Sequence, residues 1–166
     1  RNLQTLGYKN LSVFDPDSKV REIVAALAPS SFHSDLAVAF RKEKPIVVFI
    51  CSPTDLHIKH LRLALRHGAD VFLEKPLSHN FKEVEDVIRE AKKKERVVMV
   101  ACNYRFHRGW QKLQEIIAKK SFGRPIFSRV AVGYYLPNAR PNTNFRKIYA
   151  AKKQGGGVIL DSGSHA

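Results

Sequence analysis

Glu74, Lys75 and Pro76 put a carboxylate, an ammonium and a fixed backbone torsion side by side, directly after the apolar run Val71-Phe72-Leu73. The run thus places an acid beside a base at the end of a buried strand, where ligands of parallel sheets collect; the plainer reading is a solvated charge pair in a loop. Asp161 and His165 form a second pair, four residues apart, so that one helix face would present both. Gly155-Gly156-Gly157 would let that helix begin close to a ligand. Such a pair can act on one hydroxyl. The plainer reading here is a carboxylate orienting a surface imidazole. Asp15 closes the apolar run that begins at Leu11. It can accept from ribose hydroxyls and repel a 2′-phosphate, or it can simply serve as the turn residue before Pro16.

These residues need a frame, and the hydrophobic pattern supplies one. Residues 2–7 read as the end of a helix closed by Gly7, and 11–14 as a short strand. Apolar Val20, Ile23, Val24 and Leu27 recur at helical spacing after a cap at Asp17 or Ser18. A further helix is expected over about 34–42. The run from Ile46 to Cys51, the stretch 71–73 and the run Val97 to Ala101 read as strands, the first and last apolar throughout and so buried on both faces. Between them fall a helix closed at Gly68 and an amphipathic helix over 81–95, with Phe81, Val84, Val87, Ile88 and Ala91 turned inward. Strand and helix alternation of this kind indicates an α/β fold, a doubly wound parallel sheet. Ligands in such sheets collect at the carboxyl ends of the strands, where this chain places Asp15, Ser52-Pro53-Thr54, Glu74-Lys75 and Asn103.

After Asn103 the rhythm changes. A helix with Leu113, Ile116 and Ile117, a break at Gly123-Arg124-Pro125, a long alternating strand from Ile126 to Tyr135 and a loop over 137–144 suggest a domain boundary near residue 103.

Composition narrows the function classes. The chain is 44% hydrophobic and 27% charged, as in ordinary globular domains. Its net charge of +14 would attract anionic substrates, yet the basic residues are scattered and do not interleave with aromatics as nucleic-acid motifs do, so no nucleic-acid partner is expected. No apolar run approaches the roughly 20 residues that span a bilayer and no leader pattern opens the sequence, from which a cytoplasmic protein without a membrane partner is expected. Cys51 and Cys102 each close an apolar run and are expected to be buried, reduced thiols. His57 and His60 lie three apart on a helix without a suitably spaced third ligand, so no metal site is expected.

The ordered set Phe72-Leu73-Glu74-Lys75-Pro76-Leu77, Asn103-Tyr104-Arg105-Phe106, and Gly155-Gly156-Gly157 leading to Asp161 and His165 resembles the Gfo/Idh/MocA oxidoreductases. That resemblance implies a Rossmann domain over 1–103 followed, over 104–166, by the start of an α/β domain with a mostly antiparallel sheet. It implies NAD as cofactor in preference to NADP, and a sugar, cyclitol or nucleotide-sugar as substrate. Asp15, Ser52, Pro53, Thr54, His57, Glu74, Lys75 and Asn103 would line the cofactor; Lys75, Tyr104, Arg105, Asp161 and His165 would meet the substrate; Lys75, Asp161 and His165 would carry catalysis. A homo-oligomer is implied for the full-length protein.

The family pattern also includes a first strand and a Gly-x-Gly-x-x-Gly turn for the pyrophosphate, and this sequence contains neither. The chain therefore reads as an internal fragment with a partial Rossmann sheet, inactive alone and liable to expose apolar faces. Two other readings stay open: a non-catalytic NAD-binding or regulatory member of the family, and a basic domain that interacts with nucleic acid.

Overall fold

Short apolar strands alternating with amphipathic helices can bury their surface only by layering, and the computed structural model shows that arrangement. It describes residues 2–131, 133, 135, 156–161 and 163–165. They belong to two compact units, Arg1–Ile46 and Val47–Ala166.

In the first unit, helix α1 (Asn2–Thr5) leads through Gly7, at φ +91°, to strand β1 (Ser12–Phe14). Helix α2 (Ser18–Ala25) starts at Asp17, whose carboxylate accepts from the Lys19 backbone N–H at 2.9 Å, satisfying a donor that the first turn leaves orphaned. Strand β2 (Ser31–His33) then runs parallel to β1, with Ser12 opposite Ser31 and Phe14 opposite His33. No such strand is expected from the sequence, because a three-residue Ser-Phe-His segment carries little apolar signal. Helix α3 (Leu36–Glu43) is capped by Asp35 and buries Phe40.

The second unit holds the three-stranded parallel sheet β3 (Val47–Ile50), β4 (Asp70–Leu73) and β5 (Val98–Val100), in that order. Helix α4 (His57–Arg66), entered through a 3-10 turn at Thr54–Leu56, joins the first two strands, and α5 (Val84–Lys93) joins the last two. Register pairs Ile50 with Leu73 and Leu73 with Val100, so alternate residues share a face. On one face Ile50, Val71 and Leu73 are buried, as are Leu61, Ala64 and Leu65 of α4 and Val87 and Ala91 of α5. At the amino ends, Asp70 accepts from the Val97 N–H at 2.9 Å while Arg96 donates to the Gly68 carbonyl at 3.2 Å, so the loops beside β4 are tied together.

Several expectations change here. The strands expected to be covered on both faces are open on one: Val47 is 45%, Phe49 46% and Met99 40% exposed, while α4 packs on β3 and β4 and α5 packs on α4. The helix expected from residue 81 begins at Val84 instead, since the Asn80 side chain accepts from the Lys82 N–H at 2.9 Å and turns the chain there. Phe81 is consequently exposed, and so is Ile88. Cys51 is exposed and Cys102 half-buried, contrary to the expectation of buried thiols.

Helix α6 (Arg108–Ala118) forms as expected, but none of its residues is buried. Among the described residues of 126–135 no strand is formed; Ile126 and Phe127 are almost fully exposed, and a strand without a ladder partner has nothing to hold it. The loop expected over 137–144 lies outside the described residues. Helix α7 (Val158–Asp161) and a 3-10 turn at Gly163–His165 end the description. No helix among the described residues is long and apolar enough to cross a membrane.

Candidate functional site

Parallel strands in register end together, so whatever follows them is brought to one edge of the sheet. The Glu74 N–H donates to the Ile50 carbonyl at 2.9 Å and the Ala101 N–H to the Leu73 carbonyl at 2.8 Å, which extends the ladder to the last residue of each strand. Beyond it stand Ser52-Pro53-Thr54 after β3, Glu74-Lys75-Pro76 after β4, and Asn103 after β5. The predicted cofactor residues among them, Ser52, Pro53, Thr54, Glu74, Lys75 and Asn103, thus follow the strands of one sheet at its carboxyl edge. Asp15 occupies the corresponding place after β1 in the first unit. Its carboxylate accepts from the Asp17 N–H at 2.9 Å through one oxygen, so the turn-forming role is filled.

Glu74 is exposed and accepts from the Lys75 backbone N–H at 3.2 Å; Lys75 is half-buried, and the peptide bond to Pro76 is cis. Thr54 is buried in its turn, whereas Ser52 is half-buried and Asn103 exposed. Tyr104 and Arg105 sit in the 3-10 turn Asn103–Phe106 and are exposed. Cys51, outside every predicted set, adjoins this edge: desolvation around its sulfur, and then the negative charge of Glu74, push its thiol up even though the residue as a whole is exposed.

The two histidines of α4 both turn toward Ser52. His57 is 1% exposed, with Nδ1 2.8 Å from the Pro76 carbonyl and Nε2 2.9 Å from the Ser52 carbonyl. His60 sets Nδ1 3.0 Å from the Ser52 hydroxyl, and burial first, then the charges of Lys59 and His57, hold it below the usual imidazole range against a smaller opposing effect of Asp55. Sequence reasoning places His57 at the cofactor but assigns His60 no role. The three-residue spacing that suggests a shared ligand is the available signal, and the ligand proves to be a turn of the chain itself.

Asp161 ends α7 and His165 ends the following 3-10 turn, so the two are carried by successive short elements instead of one continuous helix. Their side chains lie outside the described residues.

This arrangement can be set beside known proteins. The chain is 26% identical over 149 residues to myo-inositol 2-dehydrogenase of Thermotoga maritima, covering 90% of this chain and 42% of that protein. It is 25% identical over 155 residues to D-xylose dehydrogenase of Paenarthrobacter nicotinovorans, covering 90% and 39%. The chain thus spans about two fifths of the length of these curated relatives. The solved structure of an NAD-binding protein from Listeria innocua superposes with a TM-score of 0.75 at 27% identity, over 93% of this chain and 44% of that one. The family model for the Gfo/Idh/MocA oxidoreductases with an NAD-binding Rossmann fold matches residues 2–102, which hold β1 to β5 and the Ser52 and Lys75 turns, and the chain belongs to that family.

Proposed function

We propose that the protein carrying this chain is an NAD-dependent dehydrogenase acting on a hydroxyl-bearing carbon of a sugar, cyclitol or nucleotide-sugar. Residues 1–103 serve the cofactor in this reading, and 104–166 open the substrate domain. The observation that carries it is the polar edge after β3 and β4, which lies inside the stretch matched by the NAD-binding family. Relatives named as inositol and xylose dehydrogenases support the substrate class.

The residues present suit the ribose and nicotinamide end of the cofactor: Glu74 offers an exposed carboxylate to ribose hydroxyls, with Lys75, Ser52 and Asn103 beside it. The chain contains no Gly-x-Gly-x-x-Gly turn, so these residues account for that end of the molecule alone. When bound, NAD supplies the hydride acceptor. His165 takes the carbinol proton, the Lys75 ammonium stabilises the alkoxide as it forms, and Asp161 orients substrate or imidazole. Tyr104 and Arg105 contact the substrate, and the charge of +14 favours an anionic one.

The test is turnover by the complete polypeptide on a panel of sugars, cyclitols and nucleotide-sugars. His165→Ala and Lys75→Ala should each lower it about 100-fold or more with NAD binding largely kept. Near-normal turnover in both variants removes these roles, and NAD binding without turnover on any substrate points to a binding protein. Asp15→Ala should relax discrimination against NADP; an unchanged NAD to NADP ratio takes Asp15 out of the ribose site.

A further inference from the structure

Ser52 is held at several points. Pro53 follows it and restricts its backbone to extended torsions. Its carbonyl oxygen lies 2.9 Å from Nε2 of His57, and its hydroxyl lies 3.0 Å from Nδ1 of His60. The two rings are three residues apart and so stand on one face of α4, the helix that packs on β3 and β4. Such a histidine pair could hold a metal with a third ligand, but among the described residues no group of three histidine, cysteine or acidic side chains comes together. The pair divides Ser52 between its rings instead, one facing the carbonyl and the other the hydroxyl.

A serine side chain that nothing holds distributes over three staggered rotamers. The ring of His60 selects one of them for Ser52. Half-buried His60 is held toward the neutral form by burial first, then by the charges of Lys59 and His57, against a smaller opposing effect of Asp55. Between a neutral ring nitrogen and a hydroxyl lies a single hydrogen. If Oγ donates it, the hydroxyl keeps its lone pairs for a second partner; if Nδ1 donates it, the hydroxyl keeps its O–H. Either way Ser52 has a fixed direction and a bond still to make, and it follows β3 at the edge proposed to receive NAD.

From this geometry we propose that His60 is a positioning residue for the cofactor: it fixes the rotamer in which the Ser52 hydroxyl meets NAD, and it acts through that hydroxyl. This rests on the proposed NAD site. The expected effects are graded. Losing the Ser52 hydroxyl removes a neutral hydrogen bond to the cofactor, a loss of about fivefold in affinity. Losing His60 leaves the hydroxyl in place but free among three rotamers, a loss of about threefold at most.

The test is NAD titration of the complete polypeptide as wild type, His60→Leu, His60→Asn, Ser52→Ala and the His60→Leu, Ser52→Ala double variant. Leucine keeps an apolar body on α4. Asparagine sets a polar atom two bonds from Cβ, as Nδ1 is in histidine. Affinity should fall about threefold in His60→Leu, return close to the wild-type value in His60→Asn, fall about fivefold in Ser52→Ala and fall no further in the double variant. A His60→Leu loss that persists undiminished beside Ser52→Ala overturns the proposal, because the effect then belongs to the packing of α4. Wild-type affinity in His60→Leu, or no recovery in His60→Asn, overturns it as well. A wild-type protein that binds no NAD removes the proposed function and this role with it, an outcome distinct from NAD binding that ignores His60. Should His60→Leu fail to fold, nitrogen NMR of the His60 ring decides. Its Nδ1 resonance should move on NAD addition in the wild type and stay in place in Ser52→Ala; an unmoved wild-type resonance overturns the proposal.

Discussion

Helices α4 and α6 are of nearly equal length and both are written as amphipathic, yet they have different fates. Helix α4 lies on β3 and β4 and buries Ile58, Leu61, Ala64 and Leu65, the last two at 0% exposure. Helix α6 keeps Trp110 38%, Leu113 43% and Ile117 47% exposed. What visibly supports it is local: His107 accepts from the Gly109 N–H at the start, and Glu115 pairs with Lys112 at 3.1 Å and Lys119 at 2.5 Å. An apolar stripe states a demand for a partner; it does not say that one is present. The same lesson holds for the sheet, where Leu73 at the centre of the covered face is completely buried and Phe49, whose ring lies 5.3 Å from that of Phe72, is about half exposed on the other.

The contrast can be broken by mutation. Leu65→Ala should destabilise the chain by about 2–5 kcal/mol in urea unfolding, because it empties a site enclosed by the sheet. Leu113→Ala should cost no more than about 0.5 kcal/mol, as expected for a surface position. Comparable losses at the two positions would show that α6 is packed as firmly as α4.

A smaller effect sharpens the comparison by pH. The Glu115 carboxyl is held below its usual range by hydrogen bonds from Lys119 first and Lys112 second. Its folded value therefore lies under the unfolded one. Its contribution is present above the ordinary glutamate pKa of about 4.3 and is lost as pH falls through the depressed folded value. Acidification should accordingly lower the protection of the α6 amides, relative to free-peptide exchange at the same pH, before it does so in α4, and Glu115→Gln should remove that early step. Simultaneous loosening of both helices with the glutamate intact would mean that these exposed pairs contribute nothing measurable.

Glu43 provides an internal check of the same sign in the first unit. It accepts from Ser31 at 2.8 Å and lies 2.6 Å from His33 Nε2, and these bonds, His33 foremost, lower its carboxyl as well. The order around it also excludes a catalytic relay. Ser31 and the carboxylate both meet the same ring nitrogen, whereas a relay needs the histidine to stand between its two partners with one nitrogen facing each.

The legibility of the fold follows the strength of local signals. The three strands of the second unit stand out because runs of three to six consecutive apolar residues are bounded by polar residues or proline; the cap at Asp17 and the stop at Gly68, with φ at +74°, are equally local. Strand β2 was not legible, since its existence depends on pairing with β1 more than on its own residues. Phe81 misled for a related reason: it falls on the apolar stripe, but Asn80 turns the chain before the helix can include it. At the site, Glu74-Lys75-Pro76 announced itself by chemistry and by its place at a strand end. The contacts of His57 with two backbone carbonyls did not, because a histidine in a helix reads as ligand, surface or core with equal ease.

By itself the sequence determined the alternation of strand and helix, the polar residues that follow each strand, and the family to which the order of those motifs belongs, all of which are written in neighbouring residues. Only the tertiary structure decided which apolar faces find cover and where the nitrogens of His57 point. Both depend on atoms far apart in the chain, since the carbonyl of Pro76, 19 residues from His57, meets the ring only once β3 and β4 lie side by side.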